Sequence, residues 1–147
     1  MTVKVSRLCF IAIIAFTSLL SIHKYGIAFP NEPDGFNGIK WGTEIGVLKG
    51  MTNIEKKGIP KEIRVFKRDN DIKSFGGAEI DSIDYEFFKD RFVSVTLKVK
   101  DLRNFIILKK FLFKKYGRGE EMVKGLERFF WDGDKTIMVL ISNQEIS

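Results

Sequence analysis

Residues 83–100 read IDYEFFKDRFVSVTLKVK, and this stretch decides the fold. Apolar residues alternate with Asp and Glu from Ile83 to Phe87, and with Ser, Thr and Lys from Val93 to Val99. Because successive side chains of a strand point to opposite faces, both runs indicate strands with one buried face. The stretch therefore predicts a β-hairpin that lies against a core.

The loop of this hairpin follows from the parity of the two runs. If Phe87 lies opposite Val93, the loop contains an odd number of residues, and Lys89-Asp90-Arg91 meets that condition. A two-residue loop at Lys89-Asp90 would turn the valines to the other face, and such a slip is disfavoured when one face is buried. We therefore expect the three-residue loop.

A helix is predicted from Asp101 to Tyr116, directly after the hairpin. Lys114 and Lys115 suit the negative end of a helix, and Gly117 suits the left-handed position that ends one. Apolar residues recur at helical spacing along one side, which predicts a buried stripe. The stripe comprises Phe105, Leu108, Leu112 and Tyr116, widened by Ile107 and Phe111.

The flanking segments add strands on both sides. An alternating strand is predicted at 62–68, and a second hairpin joins 128–131 to 136–142 around Asp132-Gly133-Asp134. Thr43 is expected to cap a short N-terminal helix. Together these elements predict an α+β fold, in which a twisted antiparallel β-sheet, arranged as a meander, carries one main helix on a face.

The N-terminus has the pattern of a secretory signal peptide. Lys4 and Arg7 precede an apolar run from Leu8 to Leu20, and Gly26-Ile27-Ala28 supplies small residues for cleavage. We expect cleavage after Ala28 and a periplasmic location. The alternative is an inner-membrane anchor at residues 8–22, which is shorter than the roughly 20 residues that a spanning helix needs.

The predicted cleavage divides the chain into a signal peptide (1–28), a proline-containing linker (29–37) and a single α+β domain (38–147). The formal net charge of +6 falls by three on cleavage, because three cations and no acidic residue leave. The remaining excess is too small to indicate nucleic-acid binding. We therefore expect no nucleic-acid partner.

Cleavage would also remove Cys9 and His23, which are the only cysteine and the only histidine. The exported domain would then lack disulfides, thiol nucleophiles, histidine bases and the usual zinc or haem ligands. We expect no cofactor, no metal and no catalytic residue. The acidic pairs at turns, such as Asp69 with Asp71 and Asp132 with Asp134, lack the ligand spacing of a calcium loop.

Three short motifs resemble a group of small exported bacterial proteins of unknown function. They are Gly38-Ile39-Lys40-Trp41-Gly42-Thr43, Lys115-Tyr116-Gly117 and Trp131-Asp132-Gly133-Asp134. The resemblance implies export and a shared fold, with no activity attached. Proteins of this group continue through one further strand, and this sequence departs from that pattern because it stops at Ser147.

The sequence offers one candidate binding surface, on the sheet face opposite the valines. Alternation places aromatic rings and cations together on this face, where they would suit an anionic envelope ligand. The simpler alternative is that a helix covers the rings while acidic residues pair with the cations across strands. The candidate residues are Arg64, Phe66, Arg68, Phe92, Lys98 and Lys100.

These observations predict a non-catalytic exported binding or accessory domain that acts through a sheet face or edge. A hydrolase of the cell envelope that uses carboxylates alone and a membrane-tethered envelope protein are the alternatives. The final strand, 136–142, is apolar and needs neighbours on both edges. We therefore expect self-association through this strand, or its completion by a strand of a protein partner.

Overall fold

The computed structural model describes residues 8–13 and 28–142. These residues form an α+β fold, in which a mainly antiparallel sheet carries one α-helix, as the sequence predicts. The strands are β1 (Leu8–Ile13), β2 (Gly35–Phe36), β3 (Ile39–Lys40), β4 (Met51–Ile54), β5 (Ile63–Arg68), β6 (Ser74–Phe75), β7 (Ala78–Phe88), β8 (Arg91–Val99), β9 (Glu120–Glu121), β10 (Arg128–Asp132) and β11 (Ile137–Ile141). The helix is α1 (Leu102–Tyr116).

The main sheet has the strand order β4-β5-β7-β8-β1-β11-β10-β9. Strands β4 to β8 form a meander, in which β6 pairs with β7 at one end, and β2 and β3 form a separate small ribbon. The C-terminal strands β11, β10 and β9 form a second antiparallel set. Strand β1 lies between these two halves of the sheet.

The predicted loop of the β7–β8 hairpin is wrong, although the predicted faces are right further along. Lys89 and Asp90 form a two-residue turn with φ values of 47° and 63°, and Phe87 pairs with Phe92. A register shift then leaves Val93 unpaired, so that Tyr85 again faces Val95. The extra residue that was predicted in the loop is instead the bulged Val93 of β8.

One face of the sheet, the core face, packs against α1. Its strand residues include Tyr85, Phe87, Val95 and Leu97, which are at most 1% exposed. From the helix come the predicted stripe residues, of which Leu108 is 1% and Leu112 is 0% exposed. Burial of this many large side chains is the main source of stability in a domain of this size.

The ends of α1 follow the sequence signals. The Asp101 carboxylate accepts a hydrogen bond of 2.9 Å from the backbone N–H of Asn104, which satisfies a donor in the first turn. Gly117 ends the helix with a φ of 76°, a conformation that glycine adopts without steric penalty. Tyr116, the last residue of the helix, is buried.

The short helix expected after Thr43 is wrong. Ile45–Val47 forms a single 3-10 turn without a side-chain cap, and Met51 begins the edge strand β4 instead of continuing a helical stripe. Gly46 and Gly50 explain the difference, because glycine destabilises a helix interior and Gly50 has a φ of 68°. Helical spacing of three apolar residues was therefore an insufficient signal.

Candidate functional site

Strand β1 occupies a position that no pattern in the sequence assigned to it. It pairs antiparallel with β8 on one edge, from Leu8 to Ile13, and with β11 on the other, from Cys9 to Ile13. Since both neighbours run antiparallel to β1, β8 and β11 run parallel to each other. We call the position between β8 and β11 the strand slot.

The register defines which residues flank the strand slot. Phe10 lies opposite Leu97 of β8 and Leu140 of β11. Ala12 lies opposite Val95 and Met138. Paired residues of antiparallel strands share a face, and these four neighbours belong to the buried core. The register therefore places positions 10 and 12 of β1 between pairs of core residues, one from each neighbouring strand.

A cleft of about 350 Å³ lies on the core face beside this slot. Val95 and Met138, which flank Ala12 from opposite sides, both line it. The cleft therefore crosses the strand slot at register position 12. Its lining is mixed: aromatic rings such as Phe36, Trp41 and Tyr116 alternate with charged and amide side chains such as Glu32 and Asn37.

Residues 29–36, which we call the strap, run along the cleft, and residues 31–36 line it. Phe29 packs edge-on against Tyr116, with ring centroids 5.9 Å apart. The Pro33 carbonyl accepts hydrogen bonds from Trp41 Nε1 (3.1 Å) and from Thr136 Oγ1 (2.6 Å). The segment that its prolines predict as a linker is thus attached to both halves of the sheet.

Glu32 fixes the strap to the loop before β11. Its carboxylate accepts hydrogen bonds from the backbone N–H groups of Asp134, Lys135 and Thr136. An anionic acceptor strengthens such bonds relative to neutral ones. The lone pairs of this carboxylate are therefore engaged with the backbone, which is unlike the arrangement of a catalytic acid or base.

A polar network lies next to the core under the turn of the β2–β3 ribbon. The Tyr85 hydroxyl donates to Asp71 Oδ1 (2.9 Å), and the Asn37 amide donates to the same oxygen (2.9 Å) and to the Tyr85 hydroxyl (3.2 Å). Burial, with the neighbouring Asp71 carboxylate, raises the pKa of Tyr85 to about 12. The tyrosine therefore stays protonated and acts as a donor that joins the ribbon to the sheet.

Asp84 is the most buried carboxylate among the described residues, and two lysines neutralise it. Lys56 Nζ lies 2.6 Å from Asp84 Oδ2, and Lys67 bonds to Oδ1. Burial alone would raise the pKa of Asp84, but the hydrogen bonds and charges of both lysines outweigh it and place the pKa below its usual value. The cluster is a structural contact on the face opposite the core, in which two lysines surround a single carboxylate.

The structure does not bring the six predicted binding residues onto one face. Phe66 and Phe92 lie in the core, 4% and 0% exposed, because Phe66 pairs with Tyr85 and the bulge at Val93 puts Phe92 beside Val95. Arg64 and Arg68 share that face at its edge, where Arg64 pairs with Asp90 and Arg68 donates to the Asn37 carbonyl. The predicted common surface is therefore wrong.

The two lysines of the set lie elsewhere. Lys98 is on the opposite face, since it pairs with Ser82. Lys100 follows the end of β8 and contacts Glu79 at 3.1 Å. The anionic ligand expected for these residues thus lacks the surface on which it was predicted.

Sequence reasoning missed the residues of the strand slot for a physical reason. Residues 8–13 are apolar at every position, so they show no alternation that separates a strand from the apolar core of a signal peptide. The expectation that 136–142 needs a second neighbouring strand was the one signal for this site, and in the structure β1 is that neighbour. The predicted signal peptide otherwise lies outside the described residues, as do residues 143–147.

Comparison with known proteins identifies no relative: no family model, no characterised protein and no solved structure matches the chain. Among the described residues, no helix is long and apolar enough to cross a membrane. The same residues contain no group of three or more acidic, cysteine or histidine side chains that could bind a metal ion. The strand slot and its cleft are the features of the described residues that bear on function.

Proposed function

We propose that this chain is an exported, non-catalytic binding domain that accepts a β-strand of a partner protein in the strand slot. One observation carries the proposal. Residues 8–13 fill the slot with hydrogen bonds on both edges, yet they belong to the segment whose sequence predicts a signal peptide. Cleavage after Ala28 would remove β1 and expose the facing edges of β8 and β11.

The two halves of the sheet would stay apart after such a cleavage. Neighbouring strands are roughly 4.8 Å apart, so β8 and β11 lie roughly twice that distance from each other. Helix α1 spans both halves, and its Phe113 packs on Phe129 of β10 with ring centroids 4.9 Å apart. The strap also connects Thr136 to Trp41 through Pro33. Closing the gap would break these contacts.

The empty slot would favour strand addition on two grounds. Backbone N–H and C=O groups along β8 and β11 would be unpaired, and an added strand would form hydrogen bonds with them. These main-chain hydrogen bonds provide the affinity when a strand adds to a sheet edge. The apolar side chains of Leu97 and Leu140, each at most 1% exposed, would also regain cover. A partner strand with apolar residues at alternate positions meets both needs.

The carboxylates support a binding role better than hydrolysis. Glu32 is engaged by three backbone N–H groups, and Asp84 by two lysines. A carboxylate-dependent hydrolase needs two acidic groups that face a substrate from opposing walls. The membrane-tethered alternative differs from our proposal only in the fate of residues 1–28, which the experiment below measures.

The test begins with protein recovered from the envelope fraction of bacteria that produce the full chain. Its intact mass should correspond to a chain that begins at Phe29. A synthetic peptide of residues 7–14, with Cys9→Ser against oxidation and added C-terminal lysines for solubility, is then titrated into it. We expect one-to-one binding, seen in tryptophan fluorescence, with slowed amide exchange in β8 and β11.

The matched control peptide carries Phe10→Asp, which places a charge between Leu97 and Leu140 and should abolish binding. Two results contradict the proposal. Full-length protein retained in washed membranes would replace export by anchoring. The second is a folded processed protein that does not bind the peptide and whose β8 and β11 amides exchange slowly without it. That result would show that the slot is closed.

A further inference from the structure

The cleft and the strand slot meet at a single register position. Val95 of β8 and Met138 of β11 both line the cleft, and the residue between them in β1 is Ala12. Ala12 is the smallest residue of β1, whose sequence is LCFIAI. The cleft thus meets the slot at the position of the smallest residue of β1.

The size and lining of the cleft suit a large apolar group. An apolar cavity of roughly 150 Å³ is enough to hold a benzene ring. The cleft has about 350 Å³ and aromatic walls from Phe36, Trp41 and Tyr116. Aromatic rings gain favourable edge-to-face contacts with a ligand ring in addition to burial.

The charged groups at the rim do not indicate a charged ligand. Glu32 is bonded to the backbone of the loop before β11, and Asp34 lies 3.8 Å from Lys40. Lys115 lies over the rings of Phe111 and Tyr116, 5.6 and 5.1 Å from their centroids. Because these charged groups already have partners, the aromatic and aliphatic part of the lining is what remains to contact an entering side chain.

We infer that the partner strand carries a leucine, phenylalanine or similarly large apolar residue at the position equivalent to Ala12, and that this side chain enters the cleft and selects the partner. The inference rests on the proposed strand-acceptor function. In strand addition, main-chain hydrogen bonds are indifferent to sequence, and pockets for alternate side chains provide specificity. The cleft is the pocket of this kind beside the strand slot.

A peptide series on the processed protein tests the inference. The reference is the peptide of residues 7–14 with Cys9→Ser, and two further peptides add Ala12→Leu or Ala12→Phe. Each newly buried methylene strengthens binding roughly fourfold, so we expect the Ala12→Leu peptide to bind roughly ten- to sixtyfold more tightly. The Ala12→Phe peptide should gain similarly and should alter the fluorescence of Trp41, which lines the cleft.

The control peptide carries Ile11→Phe, which adds apolar bulk opposite Thr96 and Val139 on the face away from the cleft. If binding depends on the cleft and not on general hydrophobicity, this peptide should change the dissociation constant by less than about threefold. If the reference binds but neither Ala12 variant binds more tightly than the Ile11→Phe control, the inference fails and the proposed function stands. If no peptide binds, the proposed function fails and the inference fails with it.

Discussion

Trp41 and Thr136, which are 95 residues apart in the sequence, join the two halves of the sheet through a hydrogen bond of 3.2 Å from the indole Nε1 to the threonine Oγ1. The same threonine hydroxyl donates to the Pro33 carbonyl. Thr136 is 1% exposed, so water does not replace these partners when they are lost. The pair fixes the start of β11 relative to the meander.

The first prediction concerns this pair. Thr136→Val keeps the shape of the side chain but leaves the Pro33 carbonyl without the hydroxyl donor, which should lower the free energy of unfolding by about 1–3 kcal/mol. Urea unfolding measures the change. Thr52→Val on the exposed edge strand β4 is the control and should stay within about 0.5 kcal/mol. Equal effects of both substitutions would contradict the role assigned to Thr136.

The hairpin of β7 and β8 shows how far the sequence could predict this fold. Alternation identified both strands and the buried side of each, because burial of one face imposes a period of two. The turn could not be deduced, since a bulge at Val93 and a two-residue turn satisfy the same faces as a longer loop without a bulge. The choice between them depends on packing of Phe92 against Trp41, which is remote in sequence.

The candidate site was less predictable than the fold. Its position depends on a strand from the N-terminus that inserts between β8 and β11, and no local pattern in residues 8–13 specifies those partners. The strap illustrates the same point, because Pro30 and Pro33 indicate an extended chain but not the contacts that this chain makes. Non-local pairing of this kind is set by the tertiary structure.

The second prediction concerns the core face of α1. Leu108→Ala and Leu112→Ala each remove a fully buried side chain and leave a cavity. Each substitution should therefore lower the free energy of unfolding by about 2–5 kcal/mol. Denaturant midpoints of the purified variants measure the loss. Ile106→Ala is the matched control on the same helix, where the side chain is 38% exposed, and it should cost less than about 1 kcal/mol. Unchanged midpoints for both leucine variants would contradict the assigned packing.

The third prediction concerns alkaline pH. The pKa of Tyr85 is raised from 10.0 to about 12, so the unfolded chain releases this proton at lower pH than the folded one. The contribution of protonated Tyr85 to the free energy of unfolding is therefore complete below pH 10 and is lost as the pH rises towards 12. A spectrophotometric titration should show one phenol that ionises near pH 12 and disappears in Tyr85→Phe. Ionisation of every tyrosine near pH 10 in the folded protein would contradict the buried network.

The fourth prediction concerns acid. The pKa of Asp84 is lowered by Lys56 and Lys67, so its contribution to stability is present above the unfolded value of 3.8 and is lost as pH falls through the lower folded value. Asp84→Asn should destabilise the protein at neutral pH and flatten the loss of stability below pH 4. Asp81→Asn, at an exposed position of the same strand, should leave the acid profile as in the parent protein. Parallel profiles for Asp84→Asn and the parent would contradict the prediction.

The last prediction concerns the processed protein without a partner. An exposed strand edge is a template for pairing with another chain, and a lysine on such an edge opposes it. We therefore expect the processed protein to self-associate at high concentration, and we expect Val139→Lys on β11 to shift it towards monomer. Val139 is partly exposed on the face away from the core, so the substitution leaves the core side chains in place.

Phe130→Lys is the matched control for this substitution. Phe130 pairs with Val139 from the neighbouring strand β10, so the variant adds the same charge one strand away from the slot. Sedimentation velocity should show association for the parent and for Phe130→Lys, and monomer for Val139→Lys. Addition of the peptide of residues 7–14 should also dissociate the parent, because it fills the edge that the copies share. A parent protein that stays monomeric at high concentration, with slow amide exchange throughout β11, would show that the sheet is complete without β1.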